Sequence, residues 1–145
     1  MVRRLIYVTA ALATLGAPAM AEDPRQPLWR DLYAGMPRAE VDRRYPDKSA
    51  VLTDRCPARL DPVYRRGRLA EVVLLIDAGR RCSDDVLAAL VARHGSPGQS
   101  KRLALAGAMS VLNSDTRIWQ AGPILVRLQV RKSNGTAVLS YARGS

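Results

Sequence analysis

The alternation of apolar and polar positions is clearest near the C-terminal end of the chain. Val126, Leu128 and Val130 alternate with Arg127, Gln129 and Arg131; Asn134-Gly135 then supplies a tight turn, and Ala137, Leu139 and Tyr141 resume the period of two. This pattern predicts a β-hairpin with one buried face. Upstream, Val63 to Arg65 and Arg68 to Asp77 flank Arg66-Gly67, and the second segment holds Val72, Val73, Leu74, Leu75 and Ile76 in unbroken succession. Such a run predicts a central strand with little exposure on either face. Thr116 to Gln120, which carries Trp119, and Lys101 to Leu112 are further strand candidates.

Two segments have helical spacing instead. The first follows Gly35-Met36, where Pro37 suits an opening turn because its missing N–H has no partner there. Met36, Val41 and Tyr45 then share a face, Arg38, Glu40, Asp42, Arg43 and Arg44 form the solvated side, and Tyr45-Pro46 stops the helix. The second is predicted to start at Ser83 as N-cap, with Asp84 and Asp85 at the positive end of the dipole. Val86, Leu87, Leu90 and Val91 supply its apolar face, and Gly95 and Pro97 end it. The order helix, strands, helix, strands predicts an α+β domain, an antiparallel β-sheet with two short helices packed on one face.

The first residues change the picture of where this domain works. Arg3 and Arg4 precede an apolar stretch from Leu5 to Leu15, and Ala19-Met20-Ala21 offers the small-x-small site that a signal peptidase cuts. Residues 1–21 therefore read as a cleavable signal peptide, and 22–145 as one α+β periplasmic or secreted domain, ordered over about 28–142. The stretch is shorter than the roughly 20 residues of a spanning helix and no later segment is long and apolar enough, so an integral membrane protein is not expected. The 124 residues left after cleavage suit a single domain with a modest core.

Only Cys56 and Cys82 occur, both in the exported part, where oxidising conditions favour a disulfide. There is no C-x-x-C, and a single histidine, His94, leaves too few soft ligands for zinc. No cofactor or metal is expected. The catalytic patterns fail one by one: Asp84-Asp85 are adjacent helix-start residues, Asp54 and Asp61 flank a turn, Gly95-Ser96-Pro97-Gly98 lacks the lysine of a phosphate loop, and no serine sits in a G-x-S-x-G elbow. The chain reads as non-enzymatic.

Charge adds the one other functional signal. The formal net charge is +10, or +8 once Arg3 and Arg4 leave with the leader, and all but three of the bases are arginine. Arg65, Arg66 and Arg68 form one group and Arg127, Arg131 and Lys132 another; these are the candidate anion- or partner-binding residues, since the planar guanidinium matches phosphate and carboxylate. Nucleic acid is not expected as a partner: export, the lack of phenylalanine and the absence of aromatics among the basic groups leave no stacking platform.

The stretch from Leu32-Tyr33-Ala34-Gly35-Met36-Pro37-Arg38-Ala39-Glu40-Val41 to Tyr45-Pro46 resembles the opening of the periplasmic domains related to the outer-membrane assembly lipoprotein BamE (SmpA/OmlA) and to β-lactamase-inhibitor proteins. Val86 to Pro97, Trp119 and the terminal hairpin are similar to the second half of that pattern. The resemblance implies a non-catalytic protein-interaction module of the cell envelope, linked to outer-membrane assembly or to enzyme inhibition, whose partner is an envelope protein. BamE-type proteins carry a lipobox cysteine; none follows the apolar stretch here, so a lipid anchor is not expected. The alternative is a binder of anionic lipid or cell-wall polysaccharide through the arginine-rich surface. Intact-mass measurement and N-terminal sequencing of the exported protein should find Glu22 as the first residue. A chain starting at Met1 in the membrane fraction would show an uncleaved anchor instead.

Overall fold

The computed structural model describes residues 25–98 and 113–145, so the leader expected over 1–21 and the strand expected over 101–112 lie outside the described residues. The chain opens with a short antiparallel pair, β1 (Pro27–Trp29) and β2 (Leu32–Tyr33), ahead of helix α1 (Arg38–Arg44). Strands β3 (Ser49–Val51), β4 (Pro57–Arg65) and β5 (Arg68–Ile76) follow, then helix α2 (Arg80–His94) and strands β6 (Ser114–Ala121), β7 (Ile124–Arg131) and β8 (Ala137–Arg143). Six of the strands form one antiparallel sheet in the order β3-β4-β5-β8-β7-β6, giving an α+β fold.

Local chemistry accounts for most of these elements. Arg66 and Gly67 both take positive φ, as the two-residue turn whose twist matches a hairpin requires, and β4 and β5 pair up to Arg65 and Arg68. Strand β4 is much longer than the three residues expected before that turn, because Pro57 and Pro62 obscure it in the sequence. Both are tolerated. Pro57 is the first residue of the strand, and β3 covers only the beginning of β4, so the missing N–H of Pro62 faces an unpaired edge. The β7–β8 link is wider than the tight turn expected at Asn134-Gly135. The Arg131 N–H bonds to the Thr136 carbonyl, closing four residues, with Asn134 Oδ1 accepting from the Thr136 N–H and hydroxyl. Gly135 is buried with φ +71 where that loop meets α2, and a side chain there would run into the backbone of Arg80.

Helix α2 begins four residues earlier than expected. Gly79, at φ +87, turns the chain so that Arg80 is the first helical residue. Ser83 is therefore inside the first turn, where its hydroxyl donates to the Arg80 carbonyl instead of capping. No acidic residue occupies that turn, and Arg80 donates to the carbonyl of Lys132 at 2.5 Å. The buried face is Cys82, Ser83, Val86 and Leu90; Val91, expected on it, is exposed, because the stripe centres on Cys82, Val86 and Leu90 and Val91 lies about 100° round from Leu90. The helix stops at Gly95 as expected, and the Trp119 indole N–H bonds the Gly95 carbonyl at 2.9 Å.

The core follows the cross-strand register. Leu60, Leu74, Leu139 and Leu128 stand side by side on four adjacent strands, each no more than 2% exposed. Val72, Tyr141, Val126 and Trp119 form the neighbouring row. Val86 and Leu90 of α2 and Val41 of α1 join the same cluster, with Met36 and Leu32 beneath α1. A disulfide joins Cys56, just before β4, to Cys82 in α2, and both residues are buried.

A polar network holds the N-terminal hairpin to α1. The Tyr45 hydroxyl donates to Asp31 Oδ1 at 2.7 Å, and Arg44 contacts Asp31 Oδ2 at 3.2 Å and Glu40 Oε1 at 2.6 Å. Tyr45's hydrogen bond, opposed by burial and aided by backbone and Arg44, holds the Asp31 carboxyl below its ordinary value; burial first, then Asp31, pushes the Tyr45 hydroxyl up to about 12. A depressed folded-state value means that the network contributes stability above 3.8 and loses it as pH falls through the lower folded value. Between about pH 5 and pH 2, thermal melting should therefore fall more for the native protein than for Asp31→Asn, and equal losses would exclude Asp31. Replacing both cysteines with serine should lower unfolding free energy by about 3 kcal/mol in a denaturant titration.

Candidate interaction site on the open sheet face

Strand alternation gives the sheet a second side, opposite the Leu60–Leu128 row. Three cross-strand rows build it. Asp61, Val73, Ser140, Arg127 and Ile118 form the middle row; Arg59, Leu75, Val138, Gln129 and Thr116 lie on one flank, and Val63, Glu71, Ala142, Leu125 and Gln120 on the other. The centre of this surface is apolar and partly open to solvent. Val73, Leu75, Leu125 and Ile118 are half-buried by their neighbours alone, while Val138 and Val63 are 38% and 39% exposed. Arg59 and Asp61 edge it on β4, and a shallow hollow of about 830 Å3 opens where Leu75 and Val138 meet Gln129, Ser114 and Arg131.

Arg127 borders the Val73, Leu75 and Val138 patch on the β7 side. From β7 its guanidinium crosses β8 to within 3.8 Å of Glu71 on β5, covering Ser140, which is 6% exposed on a side otherwise wet. Its Nε is buried with no hydrogen-bond partner. At 3.8 Å the ion pair with Glu71 is loose, so the outer guanidinium nitrogens keep hydrogen-bonding capacity for a contacting carbonyl or carboxylate.

The residues singled out from sequence are placed as follows. Arg65, Arg66 and Arg68 come together, all exposed, at the β4–β5 turn; Arg65 and Arg68 are directly opposite one another, and Arg68 reaches the Gly35 carbonyl at 3.4 Å. Arg131 and Lys132 are exposed at the far end of the sheet, beside the start of α2, so the two basic groups do not form one patch. Arg127 lies between them and is committed to Glu71. His94 ends α2, its pKa lowered by burial first and by Arg93 second. Sequence reasoning missed the apolar centre, since Val73 and Leu75 are embedded in a run that read as buried on both sides, while the alternation around Ala137, Leu139 and Tyr141 gave Val138 no strand partner to form a patch with.

Among the described residues, no three His, Cys, Asp or Glu side chains converge as metal ligands, and no helix is long and apolar enough to cross a membrane. No family model, curated protein or solved structure matches this chain.

Proposed function

We propose that this chain is a non-catalytic, exported protein-interaction module of the cell envelope, which binds an envelope protein with the sheet face turned away from its helices. The apolar centre of that face carries the reading. Val73, Leu75 and Val138 form a contiguous patch bounded by the opposite charges Arg59, Asp61, Glu71 and Arg127, with Ile118 beyond Arg127, which is the anatomy of a protein interface: an apolar middle that excludes water and a polar rim that sets orientation. A fold needs no such apolar residues on an uncovered face; four-stranded rows of threonine, glutamine and charged residues would keep the sheet paired and better solvated. The likeness of Leu32 to Val41 to BamE-type and inhibitor domains supports an envelope protein as partner, with outer-membrane assembly and enzyme inhibition as its two settings.

A second reading rests on a separate observation. Arg65, Arg66 and Arg68 are concentrated and exposed on one turn, a geometry suited to anionic lipid or polysaccharide. Salt separates the two, because exposed charge contacts are screened while an apolar interface persists.

The test is a crosslinking pull-down of tagged protein from intact envelopes, washed at high salt, comparing the native chain with Val138→Glu and with Arg66→Glu. Reproducible enrichment of one envelope protein, reduced at least about tenfold by Val138→Glu and unaffected by Arg66→Glu, is the expected outcome. Recovery of nothing above a tag-only control would sink this reading, and vesicle or polysaccharide binding abolished by Arg66→Glu would favour the second.

A further inference from the structure

The other side of the sheet has a concave site that neither reading uses. A cavity of about 520 Å3 opens between β1, helix α2, the start of β7 and the end of β8. Its floor is apolar: Leu28, Val86, Leu90, Ile124, Val126 and Leu139 all line it, and each is at most 6% exposed. Its polar lining is unbalanced in charge. Among the described residues Arg30 and Arg93 both contribute, and no Asp or Glu does.

These two arginines are placed differently. Arg30 is fixed, with its guanidinium 4.4 Å from the centre of the Trp29 ring and one nitrogen donating to the Val51 carbonyl at 2.6 Å. Arg93 stands exposed on the last turn of α2. Their fields meet at the Tyr141 hydroxyl on the cavity wall: burial raises its pKa, but Arg93 and Arg30 both act to favour a negative charge at that position. An anion placed there would gain what the phenol does not supply, since the phenol remains neutral at physiological pH.

We propose that this cavity is a binding site for a single-chain anionic amphiphile, its acyl chain on the Leu28–Leu139 floor and its carboxylate or phosphate head between Arg30 and Arg93. The volume lies within the range of small-molecule sites, and an apolar floor with a few convergent polar groups is their usual make-up. A purely apolar guest would draw nothing from the two positive charges, and a cationic head would meet their repulsion. A free fatty acid and a lysophospholipid share this chemistry and differ in the head. The site is independent of the open-face reading, which concerns the opposite side of the sheet.

Isothermal titration of the purified protein, below the micelle concentration of each probe, separates these possibilities. Dodecanoate and dodecyl phosphate are the two anionic probes, and dodecyltrimethylammonium is the cation of matched tail. Saturable one-site binding of an anionic probe is expected, with the tighter of the two identifying the head, and decanoate should bind about fifteenfold more weakly than dodecanoate at about fourfold per methylene. Arg93→Glu should weaken binding at least tenfold, and Ala89→Trp, at an exposed helix position on the cavity rim, should block it while leaving the melting temperature close to native. Absence of saturable binding by both anions would overturn the proposal. So would equal binding of the cationic probe, or anion affinity unchanged in both variants.

Discussion

Strand β5 runs antiparallel beside β8, and the register from Glu71–Ala142 to Ile76–Ala137 is the contact on which the other parts depend. On one side of it lies the meander β3-β4-β5, on the other β6-β7-β8, and α2 with residues 95–113 separates them in sequence. Neither half encloses a core alone. Pairing β5 with β8 lines up Leu74 with Leu139, and through them Leu60 with Leu128, so that one apolar row crosses both halves. A slip of one residue would send that row to the open face and bring Val73 and Leu75 into the core position, which is why burial of one side specifies the register.

The same pairing determines both surfaces proposed here to bind. On the open side it brings Glu71 of the first meander within reach of Arg127 of the second, and sets Val73 and Leu75 beside Ser140 and Val138. On the covered side it places Tyr141 and Leu139 opposite Val86 and Leu90 of α2, so that a cavity is left between helix and sheet at the β1 end. The disulfide and the Trp119–Gly95 hydrogen bond hold α2 at its two ends, one against the loop before β4 and the other against edge strand β6. A helix tied at both ends over a sheet closes its core where side chains are large and leaves space where Ala89 and Leu28 meet. Arg127 on the sheet meets Glu71, and Arg30 in the β1–β2 turn lies over Trp29 and bonds the Val51 carbonyl.

Several elements were legible in the chain because their signals are local. The hairpin of β7 and β8, the strand β5, the first helix after Gly35-Met36-Pro37, the end of α2 at Gly95 and the pairing of the only two cysteines all depend on residues within a few positions of one another or on simple arithmetic. Others were obscured for physical reasons. Pro57 and Pro62 read as breakers but sit where β4 needs no donor. The two- and three-residue strands β1, β2 and β3 are too short for periodicity to register, and they exist because the sheet and α1 offer partners. Helix α2 starts at Arg80 against its own dipole because Gly79 turns the chain and Cys82 must meet Cys56.

The amino-acid sequence by itself therefore determined the class of element along most of the described chain and which side chains were available to a core, since turn chemistry, period and proline geometry act between neighbours. It also determined the excess of arginine. Only the tertiary structure decided that the last strand lies at the middle of the sheet, that Val73 and Leu75 face outward beside Val138, that the two arginine groups stand at opposite ends, and that Arg30 and Arg93 share one cavity. Each of those depends on contacts between residues far apart in the chain, whose pairing is set by how two meanders and a helix bury a common apolar row, and no local pattern encodes it.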